Sequence, residues 1–451
     1  MTTTSSFTRV ALPRRSLRLA YTAPRETHVS LRIVRTRDEL PSLRPDWERM
    51  RNEFGLPTLE TEPNHFLAVL PTITPPADPE VALFHAGNRP CAMIIARRST
   101  RRLERRLGYL RARCARLRCI DVVYGGLISD GSPAAARAVL DHLAALTRDG
   151  VDCITFNHLP LTHTLYRALT DKQIFRAAHA HPAQRHWRFS LTRPPGADKR
   201  APVPWTACLR DPVASPSPPT LDEYFRRHKS LKSRKNMRHS ERRLAAHFDG
   251  DVSLERATRP DDIDSFIREA DVITSASYQG PIGAGLGDPI TQRAILISAA
   301  ERGELRSYVL RCGGKAIAFQ TGIVCRNAYH LQSTAFLPRH ASLSPGQVLL
   351  VKVLRDLVEH GITTVDYGLG DAQYKQVYGT YCWEEATIRL FARTPRGRAE
   401  SLIDQIARQG DDLARRLVGR TGSSNCIKRL WRAALRRLPK HAPHHAEDVR
   451  R

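Results

Sequence analysis

The sequence predicts an α/β (α+β) chain of two similar domains in tandem, each a mixed, mostly antiparallel sheet flanked by helices. Three observations carry this. The chain has 451 residues, beyond the size at which one hydrophobic core stops growing. A succession of hairpin, strand, helix and strand occurs twice, and a proline-rich stretch stands between the two occurrences.

Residues 1–28 are rich in Ser, Thr and Arg, lack an acid before Glu26 and hold no continuous apolar run. They read as a disordered basic arm rather than a signal peptide. The first domain, 29–193, opens with a strand LRIVRT from Leu31 and a helix carrying Leu40, Leu43 and Trp47. Val81–Phe84 and Cys91–Arg97 flank Gly87-Asn88-Arg89-Pro90, the turn chemistry of a hairpin. A strand Arg118–Tyr124, a Gly125-Gly126 break, a helix Pro133–Arg148 and a strand Val151–Asn157 complete it.

Residues 194–219 hold prolines at 194, 195, 202, 204, 212, 216, 218 and 219, which predicts a linker or an external connection. The second domain, 220–395, begins with helix, and His228–His247 is basic with few large apolar residues, so its helix is exposed. Its hairpin turns at Cys312-Gly313-Gly314-Lys315. A strand Tyr329–Phe336 follows, then Ser344-Pro345-Gly346, a helix start with a hydroxyl N-cap and an N1 proline. The helix therefore begins near Pro345. Gly361 stops it, and Ile362–Tyr367 alternates as a strand that Gly368 and Gly370 end. The tail, 396–451, is helical and basic. Ile427, Leu430, Trp431, Ala434, Leu435 and Leu438 share one face of it, suited to its own domain, a partner or an anionic membrane.

No run approaches the roughly 20 apolar residues of a membrane span. Nine cysteines without a CxxC pair fit a reducing cytosol, and the histidines at 179, 181 and 186 and at 441, 444 and 445 lack metal-ligand spacing, so no metal is expected. The net charge of +26 points to anionic partners or to an arginine-rich genome composition. The arginines at 97, 98, 101, 102, 105 and 106 have no aromatic interleaving, so no specific nucleic-acid module is expected.

Four segments in order, TSASYQGPIGAGLGD (274–288), RGELRSYVLRCGGKAIAFQ (302–320), LSPGQVLL (343–350) and VDYGLGDAQYKQVYG (365–379) with Trp383-Glu384-Glu385, resemble the tandem branch of the GNAT acyltransferases. That branch includes the CelD-type proteins of cellulose and exopolysaccharide loci and, more distantly, the FemAB/FemX aminoacyl transferases. The resemblance covers about Leu221 to Arg393, and only weakly the first half. It implies a catalytic second domain and a degenerate first, moving an acyl group from acyl-CoA to an amine or hydroxyl on a small-molecule or glycan-precursor acceptor. The protein would be cytoplasmic, with peripheral contact at the inner membrane through the basic tail helix.

The resemblance places the backbone of Gln332, Ser333 and Thr334 at the thioester and Ser344, Gly346 and Gln347 at the pyrophosphate, where a helix N-terminus binds anions. That turn has one glycine where the family signature has two small residues, which leaves aminoacyl-tRNA open as donor, and a plain helix cap as the other reading. Lys375, at the family's Tyr-Lys position, would neutralise a phosphate or the developing oxyanion. Asp366 would act as base or orient Lys375, and Asp371 stands beside them. Tyr278, Gln279, Tyr374 and Tyr378 would line the acceptor cleft, the last two being equally suited to core packing. Arg234, Lys235 and Arg238, three and four residues apart, form a face for a phosphorylated or acidic acceptor, or a solvated one. The other class of function is a non-catalytic binder of anionic polymer or membrane that keeps the fold.

Overall fold

The computed structural model describes residues 28–420 except 57, 74–75, 108–109, 194–197, 199, 209–218 and 278–288. The first half runs β1 (Val29–Val34), α1 (Arg44–Glu53), α2 (Pro63–Val69), β2 (Ala77–Ala86), β3 (Arg89–Leu107), β4 (Leu110–Ser129), α3 (Pro133–Arg148), β5 (Cys153–Pro160), α4 (Tyr166–Thr170), β6 (Ala178–Ala180) and β7 (Gln184–Ser190). The second runs α5 (Leu221–His228), α6 (Leu231–His247), β8 (Val252–Ala257), α7 (Ile263–Ala276), α8 (Pro289–Glu301), β9 (Leu305–Cys312), β10 (Lys315–Cys325), β11 (Ala328–Phe336), α9 (Pro345–Glu359), β12 (Thr364–Leu369), α10 (Gln373–Tyr378) and β13 (Tyr381–Phe391), and α11 (Pro395–Arg420) ends the described residues.

The repeated hairpin, strand, helix, strand unit is present in both halves. Local chemistry accounts for most of it. The β9–β10 turn uses Gly313 and Gly314, both at positive φ, as a two-residue hairpin that matches strand twist requires. The α3 helix starts where the Ser132 side chain accepts from Ala135 N–H, and α5 starts with a capping box between Thr220 and Glu223. In α9 the positions Val348, Leu349, Val353, Leu354 and Leu357 are buried, the apolar face that the 3.6-residue period predicts.

The expectation of a sheet in each domain meets a different arrangement. All strands belong to one 13-stranded sheet, ordered β1-β2-β3-β4-β5-β13-β7-β12-β11-β10-β9-β8, with β6 paired to β13. Among the described residues, only β4 with β5 and β11 with β12 pair in parallel. The two halves exchange their last strands: β13 lies antiparallel beside β5, and β7 lies antiparallel beside β12. Consequently Trp187, Phe189 and Leu191 fill the core of the second half, and Ile388 and Leu390 fill that of the first. Each such side chain contributes about 1.5–3 kcal/mol by leaving water.

The proline-rich stretch is not a free linker over its described part. Val203 N–H donates to Cys382 C=O at 2.8 Å, and Trp205 is buried with Leu56, Tyr381 and Trp383. It straps the exchanged β13 in place. Because neither half holds its own last strand, a chain cut between residues 208 and 219 and expressed as two separate pieces will give insoluble pieces. Co-expression will restore one cooperative thermal transition by circular dichroism.

Candidate active site

In the second half the parallel ladder between β11 and β12 is short, running from Ala328 opposite Thr364 to His330 opposite Asp366. Past that rung β11 continues along β10 to Phe336, while β12 ends at Leu369 between glycines at positive φ. The strands part there, and β11 main-chain groups on the open side need another partner. A β-bulge falls at the same place: pairing passes from Thr321–Ser333 to Gly322–Leu331, which leaves Gln332 without an opposite residue. Bulges of this kind redirect the backbone beside functional sites. Glycine is required at 322, where a Cβ would overlap the Tyr329 ring and the His330 carbonyl. Gln332, Ser333 and Thr334, the expected thioester contacts, therefore lie on the segment that has left its neighbour; the Thr334 hydroxyl donates to Phe319 C=O at 3.0 Å.

The α9 helix begins at Pro345 as expected, but Ser344 does not cap it through its hydroxyl. It sits in the left-handed region, φ 55°, and makes no side-chain cap bond, because the preceding 3-10 turn (Pro338–Leu343) reverses the chain abruptly at this residue. Gly346 lies against the end of β11, where a Cβ would come 3.0 Å from Phe336 Cδ1. The helix N-terminus thus stands at one end of the free segment and His330 at the other, about 20 Å apart along the strand. Gln347 reaches back to the Tyr378 hydroxyl.

Beneath the parting point is a buried ionic cluster to which both halves contribute. Asp366 takes His186 Nε2 at 2.5 Å, Arg188 Nη2 at 2.7 Å and the Gly368 N–H at 2.9 Å. His186 is held flat between Trp383, 4.3 Å away centroid to centroid, and Tyr124. Its Nδ1 lies 3.0 Å from the Tyr124 hydroxyl, which donates to Glu385 at 2.5 Å. The Trp383 indole N–H also donates to Glu385. Burial raises the Asp366 carboxyl, but His186 and Arg188 outweigh it and hold that carboxyl well below its usual range. Burial likewise lowers His186, and Asp366 with Glu385 outweigh it, lifting the imidazole to about 9. Asp366 is therefore a fixed anion near neutral pH and takes up no proton there, against the expectation that it serves as a base; nor does it bond Lys375.

Lys375 is buried on α10, and its ammonium donates to Leu369 C=O at 2.5 Å. Burial lowers it to about 8, with Asp366 and Asp371 opposing. Asp371 is half exposed and accepts from Trp187 Nε1 at 2.7 Å, so its contact is with the exchanged strand β7. Tyr374 packs edge-on to Tyr367. Tyr378 is buried against Phe225, a core position rather than a cleft wall. On α6, Arg234 and Arg238 line one depression with Phe225, Met237, Glu241 and Arg355, whereas Lys235 points to solvent. Tyr278 and Gln279 lie outside the described residues.

Sequence reasoning missed His330, His186, Arg188 and Glu60. His330 is buried, stands 3.8 Å from Asp366, and is driven down to about 4 by burial despite that carboxylate. It is neutral near pH 7, and its Nε2 has no partner among the described residues. Glu60, from the α1–α2 connection of the first half, is lifted to about 7 by burial, with Asp366 adding to the effect and His186 and Arg97 opposing it. The available signal for His330 was a polar residue on a strand opposite Asp366. Glu60 had none, because its burial and the charges around it, Arg97, His186 and Asp366, come together only in the assembled fold.

Two signs follow for stability. The His186 contribution is fully present below its unfolded pKa of 6.5 and is lost as pH rises through about 9; that of Asp366 is present above 3.8 and lost as pH falls. The wild-type melting temperature should fall between pH 7 and 10, and His186→Gln should flatten that fall. Asp366→Asn should cost about 3–5 kcal/mol in chemical denaturation, since it removes the carboxylate that Arg188 and His186 share in the interior.

Residues 232–376 match the family described as acetyltransferase (GNAT) domain. No curated protein matches the chain in sequence. Among solved structures, FemX superposes with a TM-score of 0.51 at 9% identity, over 79% of this chain and 98% of that one. A tandem GNAT protein from the clavulanic acid biosynthesis pathway gives 0.44 at 14%, over 81% and 99%. The C-terminal domain of a putative lysylphosphatidylglycerol synthetase from Agrobacterium fabrum gives 0.44 at 13%, over 80% and 96%. The FemX likeness is one of fold. With the family match spanning the parted strands, the turn before α9 and Lys375, the chain carries a GNAT acetyltransferase domain and is an acyltransferase of mixed α/β fold.

Proposed function

We propose that the second half transfers an acyl group from acyl-CoA to an amine or hydroxyl, with the donor lying between β11 and β12. The observation that carries this is the contrast between the two parting points. In the second half the last rung is His330 and Asp366, with Arg188 opposite Asp366 on the exchanged strand. In the first half the corresponding rung is Val122 and Phe156, with Ile388 beside Phe156. The same scaffold is polar and ionic in one copy and apolar in the other, which favours one working site and a degenerate partner.

Acyl transfer asks for a held donor, charge stabilisation at the thioester oxygen and a route for the nucleophile's proton. The bulged β11 backbone at Gln332–Thr334 faces the donor, and the Ser344–Gln347 turn, at the positive end of α9, takes its pyrophosphate. Lys375, with its ammonium tied to Leu369 C=O, supplies the nearby cation. Glu60 accepts the proton: a carboxyl near 7 suits a base at neutral pH. The nucleophile forms its bond to the acyl carbon, the C–S bond breaks, and the CoA sulfur leaves as thiolate and is protonated. Arg234 and Arg238 offer an anionic acceptor two charges. An acceptor in envelope or exopolysaccharide synthesis, and a cytoplasmic location, fit this chemistry.

Calorimetric titration with acetyl-CoA and longer acyl-CoAs is the test of the donor. Saturable heat is expected, and its absence with every thioester would overturn the CoA reading in favour of an aminoacyl-tRNA donor, which the single-glycine turn before α9 permits. In the active enzyme kcat should decline as pH rises through about 8, where Lys375 loses its charge, and Lys375→Arg should remove that decline. Glu60→Gln should lower kcat by about 10²–10⁴ with little change in thermal stability.

A further inference from the structure

The last helix among the described residues, α11, is packed with its polar side inward. Asp404 is 1% exposed and accepts from Arg389 Nη1 at 2.6 Å; Arg408 Nε forms an ion pair with its other carboxylate oxygen at 3.1 Å and donates to the Asp404 C=O at 3.3 Å. Ser401 Oγ lies 2.7 Å from His179 Nε2, and Arg408 Nη1 donates to Ala180 C=O at 3.1 Å. Glu400 is buried on the same side. The opposite side carries Ala399, Leu402, Ile403 and Ile406, at the i, i+3, i+4, i+7 spacing of one helical stripe. It is open: Leu402 is 58% exposed, Ile403 40% and Ile406 59%. A helix anchored to its sheet by the hydrophobic effect has the reverse orientation, so this stripe is kept apolar for something outside the sheet.

We propose that the outward face of α11 lies on an anionic lipid surface. Charge selects this occupant. Arg393, Arg396 and Arg398 are exposed at the start of the helix, next to the stripe. A second copy laid parallel on this face would bring these arginines toward one another. The residues following Arg420 carry Lys428, Arg429, Arg432, Arg436 and Arg437 and no acid before Glu447, so that segment, folded back on the stripe, would meet charge of its own sign. An anionic bilayer receives the apolar stripe and the cations together. No helix among the described residues is long and apolar enough to cross a membrane, so the contact is with the surface. The inference is independent of the acyl-transfer reading.

The test is co-sedimentation of the full-length protein with phosphatidylglycerol–phosphatidylcholine vesicles and with phosphatidylcholine vesicles alone, for wild type and for Leu402→Ser/Ile406→Ser, which keeps the charge. Wild type should bind the anionic vesicles, less at high salt, and the double variant should bind at least about tenfold more weakly while melting at the wild-type temperature without lipid. Failure to bind anionic vesicles, or equal binding by the variant, would overturn the proposal. So would a wild-type dimer that the variant dissociates, or a lipid-free melting temperature that the variant shifts, since either would show the stripe covered by protein.

Discussion

The carboxylate of Asp366 is the point on which this fold turns. It sits on β12 and is neutralised by two cationic side chains of β7, His186 and Arg188, from the other half of the chain. His186 is in turn stacked on Trp383 and placed next to Glu385, both on β13. A buried charge without these partners would cost several kcal/mol. The strand exchange and the ionic cluster are therefore one feature: the cluster can be satisfied only if β7 and β13 lie side by side between β5 and β12.

A consequence concerns the division of labour between the halves. Where two copies of one scaffold share a sheet, each exchanged strand presents its side chains to the other copy. β13 gives the first half Ile388 and Leu390, which complete an apolar core. β7 gives the second half Trp187 and Phe189 on one face and Arg188 on the other, where its guanidinium pairs with Asp366 and stacks over Trp383 at 5.3 Å. The first half also sends Glu60 toward the cluster. The second half holds the parted strands, but its polar lining is assembled from both.

Much of the scaffold was legible in the sequence because local rules decide it. Period-two and period-3.6 patterns gave the hairpins and helices, and Gly313-Gly314 and Pro345 marked boundaries that the structure keeps. Partner choice was not legible. A strand such as Gln184–Ser190 shows the same alternation whichever neighbour it pairs with, and the choice rests on burial that only the assembled sheet defines. On α6, Arg234 and Arg238 are about one turn apart and line one depression, while Lys235 lies about 100° around the helix from Arg234. Ser344 misled because a Ser-Pro-Gly run is a good capping signal, yet the 3-10 turn before it imposes positive φ at that residue.

The position of Lys375 decides what its charge can act on. On β12 itself, two positions from Asp366, a lysine would share that face and be drawn into the ionic cluster. Placed instead on α10, after the glycines at 368 and 370 reverse the chain, it reaches back to the Leu369 carbonyl, the last residue of β12. Its ammonium is thus fixed at the end of one parting strand, while the bulge at Gln332 lies on the other. Burial weakens its hold on the proton, and Asp366 and Asp371 limit that loss, so that it stays charged at neutral pH without being neutralised by direct pairing. A cation held by a carbonyl rather than by a carboxylate keeps its full charge.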